Sequence, residues 1–146
     1  MTKEPEFFID SNVLVYAFDA SEPKKQAVAR KLLKDCFGGK ACIAVSTQAL
    51  SEFFVTVTGK MQNPLDGETA GKIVKNFLKF KRVKTLIVSP STLAAAIQTA
   101  NFTKRHFWDC LIAETMKENK IFAILTENSK DFEKIQGITV INPFKS

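Results

Sequence analysis

Two hydrophobic rhythms alternate along this chain. Short apolar runs of three to six residues are followed by stretches in which apolar positions recur every three or four residues. That alternation predicts repeated strand–helix units around a mostly parallel sheet, an α/β architecture of helix, sheet and helix layers. The first run, residues 7–9 (FFI), predicts a strand. A helix follows from Pro23, with Ser21 as the expected N-cap and Gly38-Gly39 as the stop. Residues 41–46 (ACIAVS) predict the second strand, and Thr47 is the expected cap of the helix that follows. Asn63-Pro64 and Asp66-Gly67 mark a loop before a helix expected to run to about Arg82. Residues 85–88 (TLIV) predict a third strand, and Ser89-Pro90 opens the next helix. A further helix is expected from Phe107 to about Asn119, then strands at 121–125 and 138–141. No repeat or low-complexity segment interrupts the series, so residues 1–146 are expected to form one domain.

Composition narrows the class. Apolar residues are 45% and charged residues 25% of the chain, which excludes disordered and fibrous proteins. No apolar run reaches the 18 or so residues a membrane-spanning helix needs. The N-terminal MTKEPEFF lacks the features of a signal peptide, so a cytoplasmic protein is expected. Three cysteines, Cys36, Cys42 and Cys110, form no CxxC pair and read as reduced core residues. The net charge of +6 favours a polyanionic partner such as nucleic acid.

The most informative feature is where single acids fall. Asp10 is the only charge between Glu6 and Asp19, at the end of the first predicted strand. Glu52 is the only charge between Lys40 and Lys60, and Asp109 the only one between Arg105 and Glu114 with His106 neutral. An ionised carboxylate is rarely buried without a partner, and no Arg or Lys stands near these acids in the sequence. On a helix, Asp109 shares its face with Ile112, Ala113 and Met116, while Glu114 and Glu118 lie about 140–180° away, toward solvent. Glu52 shares its face with Ala49, Val55, Thr56 and Gly59. Capping or a buried ion pair accounts for each acid taken singly, Asp10 and Asp109 especially. Together they are expected at the carboxyl edge of a parallel sheet, where ligands bind. Converging carboxylates repel unless a cation joins them, and an all-oxygen ligand set suits Mg²⁺ or Mn²⁺.

These segments resemble a known family. The opening FIDSNVLVYAFD, the STQALSEF segment, the FWDCLIAETMKENK helix and the LTENSKDF turn are similar to the four acidic blocks of PIN-domain nucleases, and the terminal ITVINPF fits the same pattern. Its bacterial toxin branch, the VapC-type ribonucleases of toxin–antitoxin pairs, has this size. The resemblance implies a PIN-like α/β domain that cuts RNA with Mg²⁺ or Mn²⁺, works as a homodimer, and is silenced by a cognate antitoxin. It implies Asp10 and Asp109 as the principal metal ligands and Glu52 as a further member of the acidic cluster. In the fourth block Asn128 stands where many members carry Asp, so it is the fourth catalytic candidate, bringing a carbonyl but no charge. Asn12, Thr126 and Asp131 are supporting candidates, and Asp131 is the alternative fourth acid. Lys104 and Arg105, just ahead of Asp109, are candidates for contact with the RNA backbone. Lys72, Lys75, Lys79 and Arg82 form one basic stripe if the helix runs that far, though such a stripe is also what any solvated helix face presents.

Two other functions remain open. An Asp after the first strand is the nucleophile of aspartate-dependent phosphatases, but Asp10-Ser11-Asn12 lacks the second acid of their DxDxT motif. A catalytically silent RNA-binding module is compatible with Asn128.

Overall fold

The computed structural model describes residues 4–145. Five strands, β1 (Phe7–Ile9), β2 (Ile43–Ser46), β3 (Val83–Leu86), β4 (Ala123–Leu125) and β5 (Thr139–Ile141), form one sheet in the order β3-β2-β1-β4-β5. Every pairing is parallel. The helices are α1 (Ser11–Tyr16), α2 (Pro23–Phe37), α3 (Thr47–Gly59), α4 (Gly67–Lys79), α5 (Pro90–Thr103), α6 (Phe107–Glu118) and α7 (Ser129–Phe132).

The period-two alternation of the strands divides the core into two layers. Ile9, Ile43, Val45, Val83 and Leu125 pack on one side with Leu14, Leu33, Phe53 and Phe77 of α1 to α4. Phe8, Ala44, Leu86 and Ile124 pack on the other with Cys110, Met116 and Phe132 of α6 and α7. Helices on both sides thus bury apolar residues against the sheet, while α5 packs on α6. Cys36, Cys42 and Cys110 are buried and reduced, as expected.

Strand order carries the functional consequence. From β1 the chain steps outward through β2 to β3, then crosses back to place β4 on the other side of β1. The order reverses between β1 and β4, so the connections leaving their carboxyl ends diverge and open a crevice there. Ile9 pairs with Leu125 at the last rung, which sets Asp10 beside Thr126 at the rim.

Several element boundaries differ from the sequence expectation, each for a local reason. The third strand is Val83–Leu86 because it follows β2 in register from Ile43↔Val83 to Ser46↔Leu86. Beyond Ser46 there is no partner strand, and Ile87 is left 68% exposed. The helix expected to reach Arg82 ends at Lys79. The Arg82 carbonyl is taken by Ile43 N–H (3.0 Å) and the Cys36 thiol (3.4 Å), which ties that backbone to the sheet and removes Arg82 from the basic helix stripe. Ser46, not Thr47, caps α3, its hydroxyl accepting from Ala49 N–H at 3.0 Å. Ser21 does not cap α2; its hydroxyl donates to Asp19 Oδ1 (2.6 Å) and Glu22 takes the cap position. Two short helices, α1 and α7, were not expected, because SNVLVY and SKDF carry no periodicity long enough to read. Among the described residues no helix is long and apolar enough to cross a membrane.

Candidate active site

Asp10 follows β1 at the switch point of the sheet and is only 6% exposed. It ends β1 and caps α1: Oδ1 accepts from Ser11 N–H (2.8 Å), while its carbonyl accepts from Val13 N–H (3.1 Å). Oδ2 accepts from the Thr126 hydroxyl (2.8 Å) and the Asn12 amide (3.3 Å). Capping alone would use one oxygen. The second is held by a residue 116 positions away, so the carboxylate is oriented by tertiary structure as well as by its own helix.

Thr126 and Asn12 form the frame around it. Asn12 Nδ2 also donates to Thr126 Oγ1 (3.2 Å), and Asn12 Oδ1 accepts from Glu127 N–H (3.2 Å). Thr126 Oγ1 in turn accepts from Asn128 N–H (3.0 Å). The turn after β4 is therefore locked to the turn after β1. Glu127, which no local sequence signal singles out, anchors this turn further: Oε1 accepts from Tyr16 OH (2.6 Å) and Oε2 pairs with Lys25 (2.7 Å). These partners lie more than 100 residues apart in sequence, and no local signal joins them.

Asp109 enters from the first turn of α6 and Glu52 from α3. Asp109 is half-buried, on the helix face that carries the buried Ile112, Ala113 and Met116, while Glu118 is exposed. Glu114 departs from the expected solvent-facing position. Its side chain is 14% exposed, bonded to the Thr99 hydroxyl (2.7 Å) and paired with Lys117 (3.3 Å), because α5 packs over that face. Glu52 is exposed and accepts from Gln48 Nε2 (3.3 Å), one turn earlier. The same amide donates to the Trp108 carbonyl (3.2 Å), joining α3 to α6.

The electrostatics show that these acids share one field. Burial pushes the Asp109 carboxyl up to about 6, helped by the charges of Asp131, Asp10 and Glu52 and opposed by His106. Burial also raises Asp10, against the hydrogen bonds from Thr126 and Ser11, and Asp131 adds to the rise. Glu52 is raised by burial and then by Asp10, with the Gln48 bond opposing. Among the described residues no Lys or Arg pairs with any of the four acids. Asp131 lies in α7, its backbone N–H donating to the Asn128 carbonyl (3.1 Å). Asn128 is at the exposed N-cap position of α7, and its side chain makes no cap bond. Lys104 closes α5 in the left-handed region (φ 58°), exposed, and Arg105 follows it half-buried; neither forms an ion pair among the described residues.

A divalent cation fits this donor set in charge and in chemistry. The side chains are hard oxygen donors, they repel one another, and among the described residues no Lys or Arg pairs with them. In the arrangement described here the acids stand apart: among the described residues no three His, Cys, Asp or Glu side chains are close enough to grip one ion.

Comparison with known proteins agrees with the fold. The family model of the PIN domain matches residues 7–138. The structure of VapC20 from Mycobacterium tuberculosis, described as a Sarcin-Ricin loop cleaving toxin, superposes with a TM-score of 0.69 at 14% identity, covering 90% of this chain and 96% of that one. A DNA-bound VapBC from Salmonella typhimurium gives 0.68 at 16% identity, covering 96% and 99%. A toxin–antitoxin complex from Klebsiella pneumoniae gives 0.65 at 17%, again covering 96% and 99%. No curated protein matches the chain by sequence.

Proposed function

The chain belongs to the PIN domain family, and on that premise we propose that it is a metal-dependent endoribonuclease, the VapC-type toxin of a toxin–antitoxin pair. The observation that carries this reading is that Asp10, Glu52 and Asp109, from three separate segments, feel one another's charge around the switch point of the sheet, with no Lys or Arg among the described residues paired with them. The whole chain, residues 1–146, is one nuclease domain in this reading.

Asp10 and Asp109 would hold Mg²⁺ or Mn²⁺. Such an ion supplies a more acidic bound water and neutralises charge on the phosphate. Asn12 and Thr126 hold the Asp10 carboxylate in a single orientation by their hydrogen bonds. Glu52, exposed at the rim, orients or deprotonates the attacking water. Its raised pKa favours proton acceptance, and the Gln48 bond fixes its rotamer. Asn128 contributes a neutral carbonyl, while Asp131 supplies the strongest of the three negative charges felt at Asp109. Lys104 and Arg105 contact the RNA backbone.

A cognate antitoxin and a second copy of the chain are the proposed protein partners, in a cytoplasmic setting. The toxin–antitoxin assemblies among the structural neighbours support the first. The outer face of α5, with Leu93, Ile97 and Phe102 exposed and no charge from Ser89 to Thr103, supports the second.

The test is incubation of purified protein with total RNA. Cleavage with Mg²⁺ that stops with EDTA is the expected result. RNA retained on a gel without cleavage selects a silent binding module, and phosphate release from monoesters without RNA cleavage selects a phosphatase; either outcome overturns the nuclease.

A further inference from the structure

Beside Glu52 lies a recess of about 580 Å³ that the hydrolytic chemistry leaves unused. Val88, Trp108 and Leu111 form its apolar walls, and Thr47, Gln48 and Ser51 its polar rim. Trp108 is the only tryptophan of the chain and stands 62% exposed. Leaving an indole in water forgoes one of the largest apolar burials a side chain can make, so its position asks for a ligand. The ring is also held in place. Phe107 meets it edge-on, with centroids 5.1 Å apart at 71°, and the Gln48 amide fastens the Trp108 carbonyl to α3.

We propose that this recess is a nucleobase subsite, in which Trp108 stacks one base of the RNA strand next to the cleaved bond. The inference rests on the nuclease reading and names where its substrate is gripped. Three features select a base over the rest of a nucleotide. The walls carry an acid, Glu52, and no Lys or Arg, so a phosphate would be repelled. An aromatic face with an apolar floor suits a planar uncharged ring. The Thr47 hydroxyl lines the rim, and the Gln48 side-chain carbonyl and Ser51 hydroxyl oxygens are left to accept there, since the Gln48 amide donates to Glu52 and Trp108 and Ser51 donates to the Thr47 carbonyl. A base edge that donates suits them. Glu52 belongs to both the recess and the acid cluster, so a base seated there brings its own phosphodiester to the carboxylates. Trp108 is in this reading a binding residue, adjacent in sequence to Asp109 but separate from the chemistry.

The experiment uses the full chain and Trp108 fluorescence, which no other tryptophan obscures. Oligouridylate, oligoadenylate and a base-free ribose-phosphate polymer are mixed with wild-type protein in Mg²⁺ by stopped flow, and cleavage kinetics are followed on the two base-bearing strands. Both should quench Trp108 before cleavage, and the base-free polymer should not. Trp108→Ala should raise KM roughly 5- to 100-fold, the loss expected of one base–aromatic stack, with kcat within about twofold. Trp108→Phe should recover most of that KM and serves also if the alanine variant fails to fold. Equal quenching by the base-free polymer, no quenching at all, or an unchanged KM in folded Trp108→Ala would overturn the subsite, and would point to a protein contact for this surface. Quenching without cleavage would instead reject the nuclease and leave an RNA-binding recess.

Discussion

Replacing Asp109 by Asn should make the metal-free protein more stable while abolishing RNA cleavage. The carboxyl titrates near 6 in the folded chain against 3.8 unfolded, raised first by burial and then by the neighbouring acids. Two units correspond to about 3 kcal/mol against the folded state at neutral pH. The group is only half-buried, so solvent screening reduces this to ~1.5 kcal/mol. No hydrogen bond to the carboxylate is lost on substitution, since among the described residues it makes none. For a chain of this length ~1.5 kcal/mol raises the melting temperature by about 3–6 °C. The pH dependence has a definite sign. Between pH 4 and 6 the folded protein binds more protons at this site than the unfolded chain, so wild-type stability falls as pH rises through that window. The gain from Asp109→Asn should thus be full above pH 6 and vanish near pH 4. Calorimetry of both proteins in EDTA from pH 4 to 7.5 measures this, and added Mg²⁺ should narrow the gap at pH 7.5 by stabilising wild type alone. A variant that melts lower than wild type at pH 7.5, or a gap that does not change with pH, would falsify the account of Asp109 as a repelled, uncompensated carboxylate.

The other acids should behave differently, each for a structural reason. Asp10→Asn should also abolish cleavage, but should destabilise the chain by ~1–2 kcal/mol, since an amide cannot accept from Ser11, Asn12 and Thr126 together; chemical denaturation reads the difference. Asp131→Ala should lower the Asp109 pKa, measured by carboxyl NMR titration in EDTA, and an unmoved pKa would place Asp131 outside the cluster. Asn128→Asp should tighten Mg²⁺ dependence of cleavage and lower the metal-free melting temperature; no change in either would remove position 128 from the site. Expression of the chain alone should arrest bacterial growth, and Glu52→Gln should relieve the arrest. A folded wild type that is harmless at high expression would contradict the toxin reading.

Much of this protein is legible without coordinates. Parallel strands buried on both faces must be apolar in short runs, and crossover helices must be amphipathic, so the α/β class follows from periodicity. The exceptional positions are legible too. Asp10, Glu52 and Asp109 stand out because each is the single charge of an otherwise uncharged stretch, a pattern that can be read before the fold decides how far each is buried. The sequence cannot show how distant segments meet. Whether β3 begins at Val83 or Thr85 depends on register with β2, and whether Arg82 extends a helix depends on who takes its carbonyl. Thr126, which holds the second oxygen of Asp10, and Tyr16 and Lys25, which hold Glu127, lie more than 100 residues from those acids, and hydrogen bonds between such segments leave no local pattern. The reversal of strand order at β1 and β4, which places Asp10 beside Thr126, is a property of chain crossover. For that reason the acids could be named from the sequence, while their common field, and the recess beside Trp108, exist only in the folded chain.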